Sequence, residues 1–256
     1  MSVDDFPVTD NSTAASLAPT AIASPVESVA LWFVALAAGD EEYARISAWL
    51  SPAERARAAD DVAAAQVFAP ETRRRYVIGR ASLRKALSDT LSLLPGAVPI
   101  VRGARGRPRL DGIAGVDFNI SHTDEVALIG VARGARIGVD IERADREVNA
   151  DGLARKFLTT AEQATLAPLG ADGRRERFLR YWTCKEAMSK ATGDALSAPF
   201  RRLNIRLGDA IELLEGPDAY QPPYWRLYRA AVPKGYFGTV ALWSGQPTET
   251  SRSSLG

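Results

Sequence analysis

Twice along its length this chain passes through a helix-bearing stretch and then through several short apolar strands, and that repeated order restricts its fold more than any other feature. In the first half, Ser51-Pro52-Ala53-Glu54 has the N-cap and N1-proline pattern of a helix start. A longer helix is predicted over 71–94, with Tyr76, Leu83, Ala86 and Leu87 inward and a basic flank of Arg73, Arg74, Arg75, Arg80, Arg84 and Lys85. A buried strand is predicted over 29–36, and others over 98–101, a segment reaching Leu110, 116–120, 126–132 and 137–142. Arg133-Gly134-Ala135 reads as a hairpin turn between the last two. In the second half, Thr160-Ala161-Glu162-Gln163 matches a capping box, and a helix over 174–191 ends at Gly193, a C-cap residue. Strands are expected over 203–207, 211–214, 224–231 and 237–243. Val126-Ala127-Leu128-Ile129-Gly130 and Val240-Ala241-Leu242-Trp243 close the halves alike. Two related α+β lobes are therefore expected, an N-terminal lobe over 27–134 and a C-terminal lobe over 135–245. A leader over 1–26, rich in Ser, Thr, Ala and Pro, is expected to be disordered, and a polar tail over 246–256 to be loose.

The 256 residues, 46% of them hydrophobic, suffice for one large domain or two small ones. A net charge of +1 gives no global field towards nucleic acid or membrane. The longest apolar run, 29–38, is too short to span a bilayer, and Asp4 and Asp5 stand where a secretory signal would be basic. A cytoplasmic protein is expected. Cys184 and His122 are the single cysteine and histidine, which excludes an internal disulfide and zinc sites built on several such residues. Only five of the 32 basic residues are lysines, and two of these, Lys185 and Lys190, fall within Trp182-Thr183-Cys184-Lys185-Glu186-Ala187-Met188-Ser189-Lys190.

That motif and Gly138-Val139-Asp140-Ile141-Glu142 carry the candidate chemistry. A strand directs Asp140 and Glu142 to one face, and a helix stacks Glu186 and Lys190 four apart. The plain alternatives are an exposed helix ion pair and the outer face of an edge strand. Against the first, Phe178, Tyr181, Cys184 and Met188 define a buried arc that includes Lys185, and a core-facing ammonium needs an anion. Carboxylates from a strand and a helix suit a hard cation such as Mg²⁺, with a lysine for phosphate oxygens. His122, in Phe118-Asn119-Ile120-Ser121-His122-Thr123, lies in a polar turn suited to a phosphate. Arg102, Arg105, Arg107 and Arg109, spaced by glycine and Pro108, read as guanidinium donors for oxyanions.

Taken together, Gly106-Arg107-Pro108, the Phe118–Thr123 segment, Gly138–Glu142 and Trp182-x-x-Lys185-Glu186-Ala187-x-x-Lys190 resemble the motif series of the 4′-phosphopantetheinyl transferases, in their larger, surfactin-synthetase-type branch. Phe157-Leu158 with Glu162 fits the segment between the last two motifs. The resemblance implies a pseudo-twofold α+β monomer with coenzyme A in the cleft between two similar lobes. It implies Asp140, Glu142 and Glu186 as ligands of Mg²⁺, with Mn²⁺ as an alternative, and Lys190 and Lys185 as partners of phosphate. Ser121 and His122 would meet the 3′-phosphate of coenzyme A, with Arg107 at the same end, Arg75 on the cofactor and Arg57 a looser match. The implied reaction is magnesium-dependent attack of a carrier-protein serine on the β-phosphate of coenzyme A, releasing adenosine 3′,5′-bisphosphate, with Glu186 accepting the proton. The implied partners are apo carrier proteins of polyketide, non-ribosomal peptide or fatty-acid synthases. Arg107 stands where many members of this family have lysine, and Glu54 where a basic residue is expected.

Three other classes are weighed. A metal-dependent nuclease wants an acid-x-lysine pair on one strand, whereas residue 142 is Glu. A cysteine acyltransferase would need Cys184, which points into the core arc. A non-catalytic coenzyme A module has no use for three intact acids.

Overall fold

The computed structural model describes residues 19–63, 70–103 and 105–245. The first half contains β1 (Thr20–Ile22), β2 (Val29–Ala35), α1 (Asp40–Ser47), α2 (Pro52–Ala63), α3 (Pro70–Leu91), β3 (Ile100–Arg102), β4 (Pro108–Leu110), β5 (Val116–His122) and β6 (Val126–Arg133). The second contains β7 (Arg136–Arg143), α4 (Ala150–Phe157), α5 (Thr160–Leu166), α6 (Ala171–Thr192), β8 (Asn204–Leu207), β9 (Ile211–Glu215), β10 (Trp225–Arg229) and β11 (Tyr236–Trp243). The architecture is α+β: a four-stranded antiparallel sheet in the order β1-β2-β6-β5, a five-stranded one in the order β7-β11-β10-β9-β8, and a small β3-β4 pair. A long helix packs on each large sheet, α3 on the first and α6 on the second.

β6 shows how the two large sheets are joined. Ala127, Ile129 and Val131 face α3, while Val126, Leu128 and Ala132 face Ile137, Val139 and Ile141 of β7. Burial of both faces accounts for its unbroken apolar sequence. β7 alternates the other way, giving its odd-numbered apolar residues to this shared core and turning Gly138, Asp140 and Glu142 towards α6.

The turn at Gly134, read as a hairpin, does not join paired strands. β6 and β7 belong to different sheets, and β7 is the edge of its own. The N–H groups at that edge are taken by side chains of β5: Ile137 donates to Asp117 Oδ2 (2.8 Å), Val139 to Asn119 Oδ1 (3.0 Å) and Ile141 to Ser121 Oγ (3.4 Å). Three alternate polar residues thus replace a backbone ladder, satisfy an edge that would otherwise be open and fix the register between the two sheets.

Other expectations are revised. Thr20–Ile22, inside the stretch read as a disordered leader, is a strand paired with β2; residues 1–18 and the tail over 246–256 lie outside the described residues. The capping box falls one residue earlier than expected: Thr159 accepts from the Glu162 N–H and Glu162 from the Thr159 N–H. Tyr76, predicted inward, is exposed, whereas Leu83, Ala86 and Leu87 are buried as expected. The short helices α1 and α4, too brief for a clear period, have no counterpart in the sequence reading.

Two members of the basic flank are not solvated. Glu54 receives both Arg80 and Arg84, and Arg84 also donates to the carbonyls of Pro95 (2.8 Å) and Val98 (3.0 Å). Burial alone would raise the Glu54 carboxyl. The Arg84 and Ser51 hydrogen bonds and the Arg80 charge prevail and hold it at about 2, below its ordinary 4.5. A depressed carboxyl stabilises the fold above its unfolded pKa and loses that effect as protons bind the folded state. Stability is therefore expected to fall as pH drops from about 5 towards 2. Urea midpoints measured across this window should show a shallower slope in Glu54→Gln; an unchanged slope would remove Glu54 as the cause.

Candidate active site

Gly138 lets α6 lie directly on β7. A Cβ at this position would sit 1.9 Å from the Ala187 carbonyl oxygen, so helix backbone touches strand backbone. Glu186 and Lys190 flank that contact and meet Asp140, the next residue on the same face of the strand. Lys190 Nζ donates to Asp140 Oδ1 (2.6 Å) and to Ser121 Oγ (2.8 Å), and Ser121 Oγ donates to the same Asp140 oxygen (2.8 Å). Three segments distant in sequence, β5, β7 and α6, contribute to this cluster.

The remaining carboxylate oxygens are poorly provided for. Asp140 Oδ2 and Glu186 Oε1 are buried without a hydrogen-bond partner among the described residues, a costly state for a charged oxygen. Burial and then the Asp140 charge push the Glu142 carboxyl up to about 7, against Arg146, Lys190 and a Trp182 hydrogen bond. Burial, then Asp140, also raises Glu186, with Lys190 opposing. Asp140 therefore acts on both glutamates. Repelling acids with orphaned oxygens are the donor chemistry of a hard divalent cation, which would relieve the repulsion and fill the vacant lone pairs. In that sense the residues fit Mg²⁺ or Mn²⁺. They are not closed around a point, because among the described residues no three of His, Cys, Asp and Glu are gathered tightly enough to hold an ion as they stand.

Comparison with known proteins bears on the same residues. A family model described as the 4'-phosphopantetheinyl transferase superfamily matches residues 136–237, a stretch containing all three acids. Over 219 residues the chain is 36% identical to the 4'-phosphopantetheinyl transferase HetI of Nostoc sp., covering 84% of this chain and 88% of that protein. The chain belongs to the 4′-phosphopantetheinyl transferases. A 4'-phosphopantetheinyl transferase of Bacillus subtilis is 27% identical over 196 residues, 76% of this chain and 83% of its own. A holo-[acyl-carrier-protein] synthase structure from Thermotoga maritima overlays 44% of this chain and 65% of its own, at 17% identity and a TM-score of 0.36.

In this phosphopantetheinyl transferase the residues predicted for the site fall in different places. Asp140, Glu142, Glu186 and Lys190 come together. His122 is exposed at the end of β5, and Arg75, on α3, has its Nη1 3.4 Å from Asp124 Oδ1 in the turn that follows that strand. Arg57 is on α2, but its side chain lies outside the described residues.

Three of the predicted residues are engaged by other groups of the protein. Ser121, expected to meet the 3′-phosphate beside His122, is buried and bonded to Asp140 and Lys190; successive residues of a strand face opposite ways. Arg107, expected at the same phosphate, has its donors engaged by protein. Its fork grips Asp117 (2.8 and 2.6 Å), and it donates to the carbonyls of Lys190 (2.8 Å) and Ile137 (2.7 Å). Lys185, expected at a phosphate, has no exposed surface. Its Nζ donates to Phe200 O (2.6 Å) and Leu203 O (2.7 Å) and pairs with Glu162 Oε2 (2.7 Å). The core-facing lysine does need an anion, and Glu162 supplies it.

Asp117 and Asn119 were absent from the sequence-predicted set. Their signal was the period-two series Asp117-x-Asn119-x-Ser121 in an otherwise apolar strand. Cys184 is buried against Thr239, and burial pushes its thiol up to about 12, which disqualifies it as a nucleophile at neutral pH. Among the described residues no helix is long and apolar enough to cross a membrane.

Proposed function

We propose that this chain transfers the 4′-phosphopantetheine group of coenzyme A to a serine hydroxyl of an apo carrier protein. The observation that carries this reading is the meeting of Asp140, Glu142, Glu186 and Lys190, with Ser121, where the two lobes join. In the proposed step the serine oxygen bonds to the β-phosphorus, and the bond to the oxygen of departing adenosine 3′,5′-bisphosphate breaks. Asp140, Glu142 and Glu186 would hold Mg²⁺ or Mn²⁺, which when bound supplies charge screening of the diphosphate and of the leaving group. Lys190 contributes a fixed positive charge beside the phosphates, anchored by Asp140 and Ser121. Glu186 would accept the serine proton. Arg75, half-buried on α3 beside Asp124, and His122, exposed at the end of β5, suit the adenosine end of the cofactor.

The carrier would be an acyl, peptidyl or polyketide carrier domain in the cytoplasm, and the protein would act as a monomer with lobes over 27–134 and 135–245. Incubation of an apo carrier protein with this chain, coenzyme A and Mg²⁺, followed by intact-mass spectrometry, tests the reading. A mass gain of one phosphopantetheine group is expected; no gain on acyl, peptidyl and polyketide carriers alike would reject it.

A further inference from the structure

The glycine-rich arginine segment before β4 was read as a set of free donors for oxyanions, yet Arg107 is among the most restrained cations in the molecule. Its Nε donates to Lys190 O, at the last turn of α6. A helix leaves its final carbonyls without amide partners, and here arginines from outside the helix take two of them, Arg107 at Lys190 and Arg136 at Thr192 (3.3 Å). Guanidinium groups at this end also oppose the negative pole of the helix dipole. Just beyond, Gly193 turns the chain at φ +84° with its N–H on Ser189 O, and Arg105 pairs with Asp194.

The strand behind Arg107 is the same one that reaches the Lys190 ammonium. Asp117 of β5 fixes the guanidinium fork in two bonds, and Ser121 of β5 accepts from Lys190 Nζ. One strand of the N-terminal lobe therefore holds Lys190 at both ends, its backbone through Asp117 and Arg107 and its side chain through Ser121.

We propose that Arg107 is a positioning residue that acts through Lys190, keeping the ammonium on Asp140, and that it is not a ligand of the cofactor's 3′-phosphate. The inference rests on the proposed transfer reaction. Lysine cannot reproduce a planar fork that serves Asp117 and two carbonyls at once, and a misplacement of about 1 Å costs up to about a hundredfold in rate.

The test uses the full chain with Arg107→Lys, Asp117→Asn and the double variant, each assayed with coenzyme A and with 3′-dephospho-coenzyme A. For Arg107→Lys, kcat should fall by about tenfold to a hundredfold, with KM for coenzyme A within about threefold of wild type. The preference for coenzyme A over its dephospho form should not change. Asp117→Asn should show the same pattern, and the double variant should be scarcely worse than either single one. Full kcat in Arg107→Lys, or collapse of the preference for the 3′-phosphate, would overturn the proposal. If Arg107→Lys does not fold, Asp117→Asn decides, since an amide still accepts from the Ile137 N–H. Retained kcat with a lower KM would then mean that freeing Arg107 helps it bind phosphate, which also overturns the proposal. A wild-type chain unable to modify any carrier would fault the reaction itself, a result separate from either outcome.

Discussion

Glu186→Gln is expected to lower transfer to carrier protein by about a thousandfold or more, while coenzyme A affinity, measured by calorimetry, stays within a few-fold. The carboxamide keeps the size of the side chain and its place at the contact of α6 with β7, so packing around Gly138 and Ala187 survives. Two capacities disappear. One is the buried, unpartnered Oε1 as a charged donor towards a cation, and the other is the capacity to accept a proton. Whichever capacity dominates, chemistry should suffer more than binding, because the adenosine end of the cofactor is expected at Arg75 and His122. Intact-mass time courses of carrier modification give the rate. Turnover near the wild-type value would remove Glu186 from both roles, and a parallel collapse of coenzyme A affinity would make it a binding residue instead.

The acids of the site were readable in the sequence because side-chain direction follows from period. Two residues apart on a strand, Asp140 and Glu142 had to share a face, and four apart on a helix, Glu186 and Lys190 had to share another. The arc of Phe178, Tyr181, Cys184 and Met188 likewise fixed which way α6 turns, and all four are buried. What local pattern could not supply was the identity of partners brought from elsewhere. Gly134 between two apolar strands looks like a hairpin turn, and the side chains of Asp117, Asn119 and Ser121 give β7 an alternative to pairing with β6. Arg107 reads as a free donor until its carbonyl partners are known. A helix cap could be read near Glu162 from its neighbours alone, but its Oε1 also accepts from the Ile205 N–H (3.0 Å) and its Oε2, which caps Thr159, pairs with Lys185 (2.7 Å).

The last point leads to the other large effect. Lys185→Met is expected to destabilise the fold by about 3–5 kcal/mol, the range for removing one member of a buried ion pair. Methionine fills much of the lysine stem's volume, so the loss should be electrostatic and not a cavity. Glu162, 1% exposed, would keep its backbone donors at Thr159 and Ile205 but lose its counter-ion, and the carbonyls of Phe200 and Leu203 would lose their donor. These groups tie α5, α6 and β8 together beneath the Phe157, Trp182 and Phe200 ring cluster, so the C-terminal lobe should loosen as a unit. Glu162→Gln in the same chain should recover part of the loss, since a neutral amide is cheaper to leave unpaired than a carboxylate. A coupling of about 1–3 kcal/mol is expected from the double-mutant cycle. Chemical denaturation of the four proteins gives that coupling, and coenzyme A titration of the folded Lys185→Met variant gives an affinity close to wild type. A stable variant with weakened coenzyme A binding would instead return Lys185 to the phosphate.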